Sequence, residues 1–340
     1  MTKMPLPGLA TLDDLIQQAR DGDPIRVAAV NAAQAAVLET LRDAVRLGVA
    51  EPLLIGRPAE IAEVAATLGW EIDPAAVIEA DSEADAARRG VELVHDGHAD
   101  ALMKGHIHTD TFMRALLDAE HGLRQPDQRV SHVFLVDVPS HPRLLAISDA
   151  AVNIAPDLNA KAQILQNAIA LMHMMGVETP RAAVISAVET VNPAIVSTLD
   201  AACLTLMARR GQIAGAEVDG PLAFDNAISE RAAREKGIES PVAGQADILL
   251  MPDLVSGNVL AKNLEYHAGA TAAGVLMGLA VPVVLSSRAD PPEARLAGLG
   301  VAALMYRAGI RLPPPTVSET ETAFHCAPQP ESACCPKEVC

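Results

Sequence analysis

The chain has 340 residues, half of them apolar, with 26 basic against 43 acidic side chains and a net charge of −17. The apolar share supplies sizeable cores and excludes global disorder, while so acidic a surface repels phosphate backbones and excludes non-specific nucleic-acid binding. Aromatic residues make up only 2%, so the cores must be filled by Ala, Val, Leu, Ile and Met, and no base-stacking platform is expected.

Strand and helix signals alternate along the chain. Arg26–Asn31 reads as a buried strand, and Gln34–Leu47 as a helix with Val37, Leu38, Leu41 and Val45 on one stripe. Gly48 stops that helix as a left-handed cap. Strand Pro52–Ile55, helix Pro58–Leu68, strand Ala76–Glu79 and helix Glu83–Val94 follow. Then come strand Ala101–Met103, helix Thr111–Ala119 and strand Val133–Val138. A turn-rich passage, Pro139 to Arg143, leads to the apolar run Leu144–Ile147. Asp157 caps a long helix that ends at Gly176, with Met172, Met174 and Met175 as core filling. Strand Ala183–Ser186, helix Pro193–Ala208 and strand Ile248–Met251 continue the pattern, and the Ala- and Gly-rich run Gly269–Gly278 is expected as a closely packing helix. Strand Val283–Leu285 and helix Glu293–Tyr306 close the body. Apolar strands without a polar alternate, separated by helices, predict a parallel sheet covered on both faces.

The longest apolar-rich stretch, Ala268 to Leu285, is broken by Gly269, Gly274, Gly278 and Pro282. It falls short of the roughly 20 apolar residues of a membrane span. The first residues, with Lys3, Pro5 and Pro7, lack the apolar core of a secretory leader. A cytoplasmic protein without membrane association is expected. Pro313, Pro314 and Pro315 end the body, and the segment from Val317 is expected to be a disordered appendage. Cys203 is in the body, whereas Cys326, Cys334, Cys335 and Cys340 lie in that tail, so no disulfide framework holds the body together. The tail thiols with His325 read either as a zinc or redox site or as an accidental cluster.

The chain lacks the nucleotide loops G-x-x-x-x-G-K-[ST] and G-x-G-x-x-G, the hydrolase elbow G-x-S-x-G and the zinc motif H-E-x-x-H. Ser286-Ser287-Arg288-Ala289-Asp290 stands directly after strand Val283–Leu285. Ligands of open α/β sheets bind beyond the carboxyl ends of strands. A hydroxyl, a guanidinium and a carboxylate there can handle an anion and a proton together. Asp290 before two prolines can equally cap the next helix. The Asp219–Ala227 run places Asp219 and Asp225 around a turn, as turn and cap residues or as two metal ligands. Gly257 and Asn258 follow strand Ile248–Met251, with Lys262 one turn later. They read as backbone N–H groups at a helix start, an anion site, or as a plain turn. Lys104 ends strand Ala101–Met103 and Thr109 opens the next helix, a setting for phosphate or a solvated loop. His106 and His108 read as metal ligands or as ordinary loop residues.

Four runs together resemble the phosphate acetyltransferase/phosphate butyryltransferase family, over Arg26 to Ala308. They are Ser148-Asp149-Ala150-Ala151-Val152-Asn153-Ile154-Ala155-Pro156-Asp157, the Asp219–Ala227 run, Ala246–Asp253 with Gly257-Asn258, and Ser287-Arg288. The resemblance implies a reversible reaction, acyl-CoA plus phosphate giving acyl phosphate plus CoA, with acetyl as the acyl group and butyryl as the alternative. It implies a two-domain α/β fold like the isocitrate and isopropylmalate dehydrogenases, an active-site cleft between the domains, and a homodimer. A metal-dependent dehydrogenase of the same fold is the competing class. The expected domains are residues 1–145 plus 270–316 and residues 146–269, with 317–340 outside both. Carried over from the family's Ser-Arg pair, Ser287 bonds the thiol or the developing oxyanion and Arg288 holds the phosphate. The family's acid position falls on Ala294 here. Asp290 and Glu293 are the nearest acids, and Asp290, in a rigid turn before two prolines, is the expected base. Lys104, Thr109, Asn153, Gly257, Asn258 and Lys262 are expected to bind substrate. No metal is expected, and CoA enters as substrate rather than as a cofactor.

Overall fold

The structure is a computed structural model that describes residues 11–287 and 290–310. In its first part, helix α1 (Leu12–Arg20) precedes strand β1 (Ile25–Val30). Helix α2 (Ala35–Leu47), β2 (Ala50–Gly56), α3 (Pro58–Thr67), β3 (Val77–Glu79) and α4 (Glu83–His95) follow. Next are β4 (Ala101–Lys104), α5 (Thr109–Leu116), β5 (Ser131–Asp137) and β6 (Leu145–Ser148). The second part holds α6 (Leu158–Met174), β7 (Arg181–Ile185), α7 (Val196–Arg209), β8 (Glu217–Leu222), α8 (Phe224–Ile228), α9 (Glu230–Glu235), β9 (Ile248–Leu250) and α10 (Leu254–Ala268). The chain then returns through β10 (Thr271–Met277), β11 (Val283–Val284) and α11 (Pro292–Arg307). The expected caps form: Gly48 ends α2 at φ 72°, and Asp157 accepts from the N–H of Ala160 at 2.8 Å to start α6.

Among the described residues the strands form one eleven-stranded sheet in the order β3-β2-β1-β4-β11-β10-β5-β6-β9-β7-β8. β10 is antiparallel to β11 and to β5, and β5 is antiparallel to β6. The remaining pairs are parallel. An antiparallel seam thus joins two parallel halves that run in opposite senses. Helices cover both faces, and the buried apolar side chains fall into four clusters. Two of them, around Leu38 and Leu41 and around Ile107 and Phe112, sandwich the first half. The others, around Ile164 and Leu165 and around Leu249 and Ala261, sandwich the second half.

Two expectations are corrected. The sheet is mixed, because the seam strands are buried as deeply as the parallel ones and the same apolar runs serve both directions. The run Gly269–Gly278 is not a helix. Gly269 ends α10 in the left-handed region at φ 67°, and Thr271–Met277 is the central strand β10, buried from Ala272 onward. Its small residues suit a strand pressed between α11 and the facing layer. The sequence reading also passed over α1, β8 and the body of α10.

Candidate active site

The turn after β11 is tied together by one carboxylate. Asp290 is 5% exposed. Its Oδ2 accepts the backbone N–H of half-buried Ser287 at 2.6 Å, and its Oδ1 accepts from Lys262 Nζ of α10 at 3.2 Å. Lys262 also donates to Glu265 Oε2 at 2.7 Å. Burial works against the lysine's charge, but the hydrogen bonds and negative charges of Glu265 and Asp290 prevail, and Lys262 titrates above its usual value. Beneath the turn lies Arg295, fully buried, whose guanidinium donates to Asp290 O at 3.2 Å and Ser287 O at 2.9 Å. Desolvation lowers its pKa, against the pull of Asp290. A cavity of about 170 Å³ opens beside Asp290 and is also lined by Tyr266, Thr271, Pro291 and Ala294. Asp290 does not cap α11. The cap position is Pro291, with no side-chain bond, because the carboxylate is turned back onto Ser287 and Lys262. Arg288 lies outside the described residues, as does the tail with its cysteines.

The second part of the site is the loop after β6. Asp149 is 2% exposed, and its Oδ1 accepts the N–H groups of Ala151 and Val152 at 2.8 and 2.9 Å. Its Oδ2 accepts from Asn153 Nδ2 at 2.6 Å and from the backbone of His132 at 3.1 Å. Asn153 accepts in turn from Arg129 at 3.0 Å. Helix α10 lies directly on this loop. A Cβ on Gly257 would stand 2.4 Å from Asp149 O, so only glycine permits the approach, and Asn258 Nδ2 donates to Ala150 O at 3.2 Å. The expectation of free N–H groups at Gly257 and Asn258 is corrected. The cap of α10 is Asp253, and the N–H of Gly257 donates to Asp253 O at 3.2 Å within the helix.

The structure therefore brings Ser287 and Asp290 against Lys262 in the middle of α10, and sets Gly257 and Asn258, just over a turn earlier in that helix, on the loop that holds Asp149 and Asn153. Lys104 ends β4, beside β11, and is 2% exposed. Thr109 is the exposed first residue of α5, whose cap position is His108. Asp219 and Asp225 part company: Asp219 lies in β8, and Asp225, inside α8 rather than capping it, pairs with Lys236 at 3.3 Å. His108 pairs with Glu83 at 3.0 Å. Among the described residues, no group of three or more His, Cys, Asp or Glu is placed to share a metal ion, and no helix is long and apolar enough to cross a membrane. Sequence reasoning missed Asp149 as the organiser of its loop and missed His132. The signal available for Asp149 was its place at the end of an apolar run, where ligand loops start.

In this mixed α/β sheet the turn of Ser287 and Asp290, tied to Lys262, stands at a strand end, where open α/β sheets bind their ligands. A family model described as "Phosphate acetyl/butaryl transferase" matches residues 81–296. The chain is 46% identical over 292 residues to a phosphate acetyltransferase of Rhizobium meliloti, a match that covers 86% of this chain and 92% of that protein. It is 41% identical over 297 residues to a phosphate butyryltransferase of Clostridium acetobutylicum, across 87% of this chain and 98% of that protein. The crystal structure of a branched-chain phosphotransacylase from Enterococcus faecalis V583 superposes with a TM-score of 0.72 at 30% identity, covering 83% of this chain and 99% of that one. The chain belongs to the phosphate acetyl/butyryl transferase family.

Proposed function

We propose that the protein is an acyltransferase that interconverts acyl-CoA plus phosphate with acyl phosphate plus CoA, with acetyl as the acyl group and butyryl as the alternative. The observation that carries this reading is the Ser287–Asp290–Lys262 arrangement at the end of β11, in a chain of this family. The CoA thiolate attacks the carbonyl carbon of the acyl phosphate, the C–S bond forms, the C–O bond breaks, and phosphate leaves. A thiol with a pKa of about 8.5 is mostly protonated at neutral pH, so a base speeds the attack. Asp290 takes that proton in this reading. A carboxylate has about four lone-pair positions, and the bonds to Ser287 and Lys262 leave some open. The Ser287 hydroxyl bonds the developing oxyanion, and Lys262 and Arg288 hold the leaving phosphate. Lys104, Thr109 and Asn153 are assigned to substrate binding, while Gly257 and Asn258 hold the loop after β6 against α10.

The same reading takes the two halves of the sheet as domains, residues 1–145 plus 270–316 and residues 146–269, on the plan of the isocitrate and isopropylmalate dehydrogenases. The pairing of Lys262 with Asp290 across that division supports a site in the cleft between them. A cytoplasmic homodimer is the working assembly. The test is an assay of thioester formation from CoA and acetyl or butyryl phosphate. One phosphate released per thioester is expected, and the absence of CoA-dependent release with both substrates overturns the assignment. The base is tested at saturating substrates. Asp290→Asn should lower turnover at neutral pH and lose less at alkaline pH, where CoA ionises by itself. A pH-dependent loss confined to Glu293→Gln moves the role there.

A further inference from the structure

One buried histidine touches both parts of the site. His132 in β5 is 0% exposed, and its ring meets Phe134 edge-on with centroids 4.3 Å apart. Its backbone N–H donates to Asp149 Oδ2 at 3.1 Å, and its carbonyl accepts from Ser148 Oγ at 2.9 Å. Its Nε2 lies 3.3 Å from Leu285 O. A carbonyl only accepts, so this contact assigns the proton to Nε2. In the neutral ring Nδ1 is then a bare acceptor, buried without a hydrogen-bond partner among the described residues. The space for the ring comes from Gly274, where a Cβ would stand 2.8 Å from Nε2 and 2.4 Å from Leu285 O. A phenylalanine would fill the same volume and leave no nitrogen unsatisfied. What it could not do is hold the Leu285 carbonyl, two residues before Ser287.

We propose that His132 is a positioning residue that clasps the end of β11 to the end of β6, so that the Ser287 turn and the Asp149 loop keep one fixed relation. The inference rests on the acyl-transfer reading of those two loops. The link runs from the Leu285 carbonyl through the ring and backbone of His132 to Asp149, and from Asp149 to the N–H groups of Ala151 and Val152. The groups whose charge reaches the ring are Asp149 at the end of β6, Asp290 in the turn and Lys262 on α10. Burial pushes the ring below the usual histidine range, the two aspartates oppose this, and Lys262 adds to it. Burial thus favours the neutral ring, with its one proton on Nε2 directed at the Leu285 carbonyl.

The test compares His132→Phe with His132→Gln in the full-length protein. The glutamine amide can still donate to Leu285 O, and the phenylalanine cannot. His132→Phe should lower kcat by about ten- to hundredfold while leaving KM for CoA and acyl phosphate within about threefold, because misplaced groups act mainly on the transition state. Hydrogen exchange should quicken in residues 149–153 and 283–287 and stay unchanged in β7 and β8. His132→Gln should restore both kcat and protection. An unchanged kcat in His132→Phe, or a glutamine variant as impaired as the phenylalanine one, overturns the proposal. If His132→Phe does not fold, His132→Asn, too short to reach Leu285, must show the same loss. If the wild-type protein shows no acyl transfer, the functional assignment falls by itself. The exchange contrast then decides the clasp, and unchanged protection of both loops overturns it.

Discussion

Lys262 and Lys236 each lie between two carboxylates, in settings that differ mainly in burial. Lys236, at the far edge of the second half, is 3.3 Å from both Glu189 and Asp225, and those carboxylates are 31% and 55% exposed. Lys262 faces Glu265 and Asp290, whose side chains are 11% and 3% exposed. Both lysines titrate above their usual value, since their acidic partners outweigh the desolvation that opposes the charge. At the edge, water and salt screen the cluster, and such pairs add little to stability. At the site the same arrangement organises structure, because the second oxygen of Asp290 holds the Ser287 N–H. A lysine between two acids therefore says little about function until the burial of the acids and their remaining bonds are known.

The sharpest break in this comparison is Asp290→Ala. It strips Lys262 of one partner and frees the Ser287 turn. Removing one member of a buried ion pair costs up to about 3–5 kcal/mol, and about 3 kcal/mol is expected because Glu265 remains, together with a loss of turnover greater than about tenfold. Denaturant melts and steady-state rates check both. Gly257→Ala comes next. Its Cβ must push α10 away from Asp149 O, and overpacking of this kind costs about 1–3 kcal/mol. The loss should fall on the midpoint of unfolding and on the affinity for substrate together.

A third experiment uses pH. A lysine with a raised folded pKa stabilises the fold fully below its unfolded value, about 10.4, and loses that contribution as pH rises through the folded value. The melting temperature of the wild type should therefore decline above about pH 10.4, and Lys262→Met should flatten the decline. The flattening should persist in high salt for this half-buried pair. The smallest effect is expected for Lys236→Ala, with no measurable change in melting temperature or turnover. A loss there comparable to that of Asp290→Ala would erase the distinction between the two clusters.

The strands around Val27, Leu54, Leu102, Val184 and Leu249 were legible because parallel strands buried on both faces read as apolar runs. β10 was not. Ala272, Ala273 and Gly274 carry no β-branched signal, and the reason for the glycine lies outside the segment, in the ring of His132 and the carbonyl of Leu285. Most of α10 was missed because Val255, Val259 and Tyr266 on its outer stripe are exposed, which blurs the usual contrast of apolar and polar faces. In the site, Ser287 was readable from its strand-end position and the family resemblance, Asp290 from its place in the same turn, and Lys262 from its place one turn past Gly257 and Asn258. His132 was not, since a lone histidine in an apolar strand reads as core and its carbonyl partner is 153 positions away along the chain.

The seam also sets the order in which the molecule can be assembled on the ribosome. Strands β6, β7, β8 and β9 pair among themselves once residue 250 has emerged. The first half cannot close then, because β11 and β10 belong between β4 and β5 and are synthesised only after the whole second half. Until they arrive, β4 and β5 present open edges, the kind of surface that invites pairing with the wrong chain. The stretch made after the whole second half is thus the piece that zips the two halves into one sheet. It also carries Ser287 and Asp290, so a nascent chain gains its reactive turn only in the act of finishing its fold.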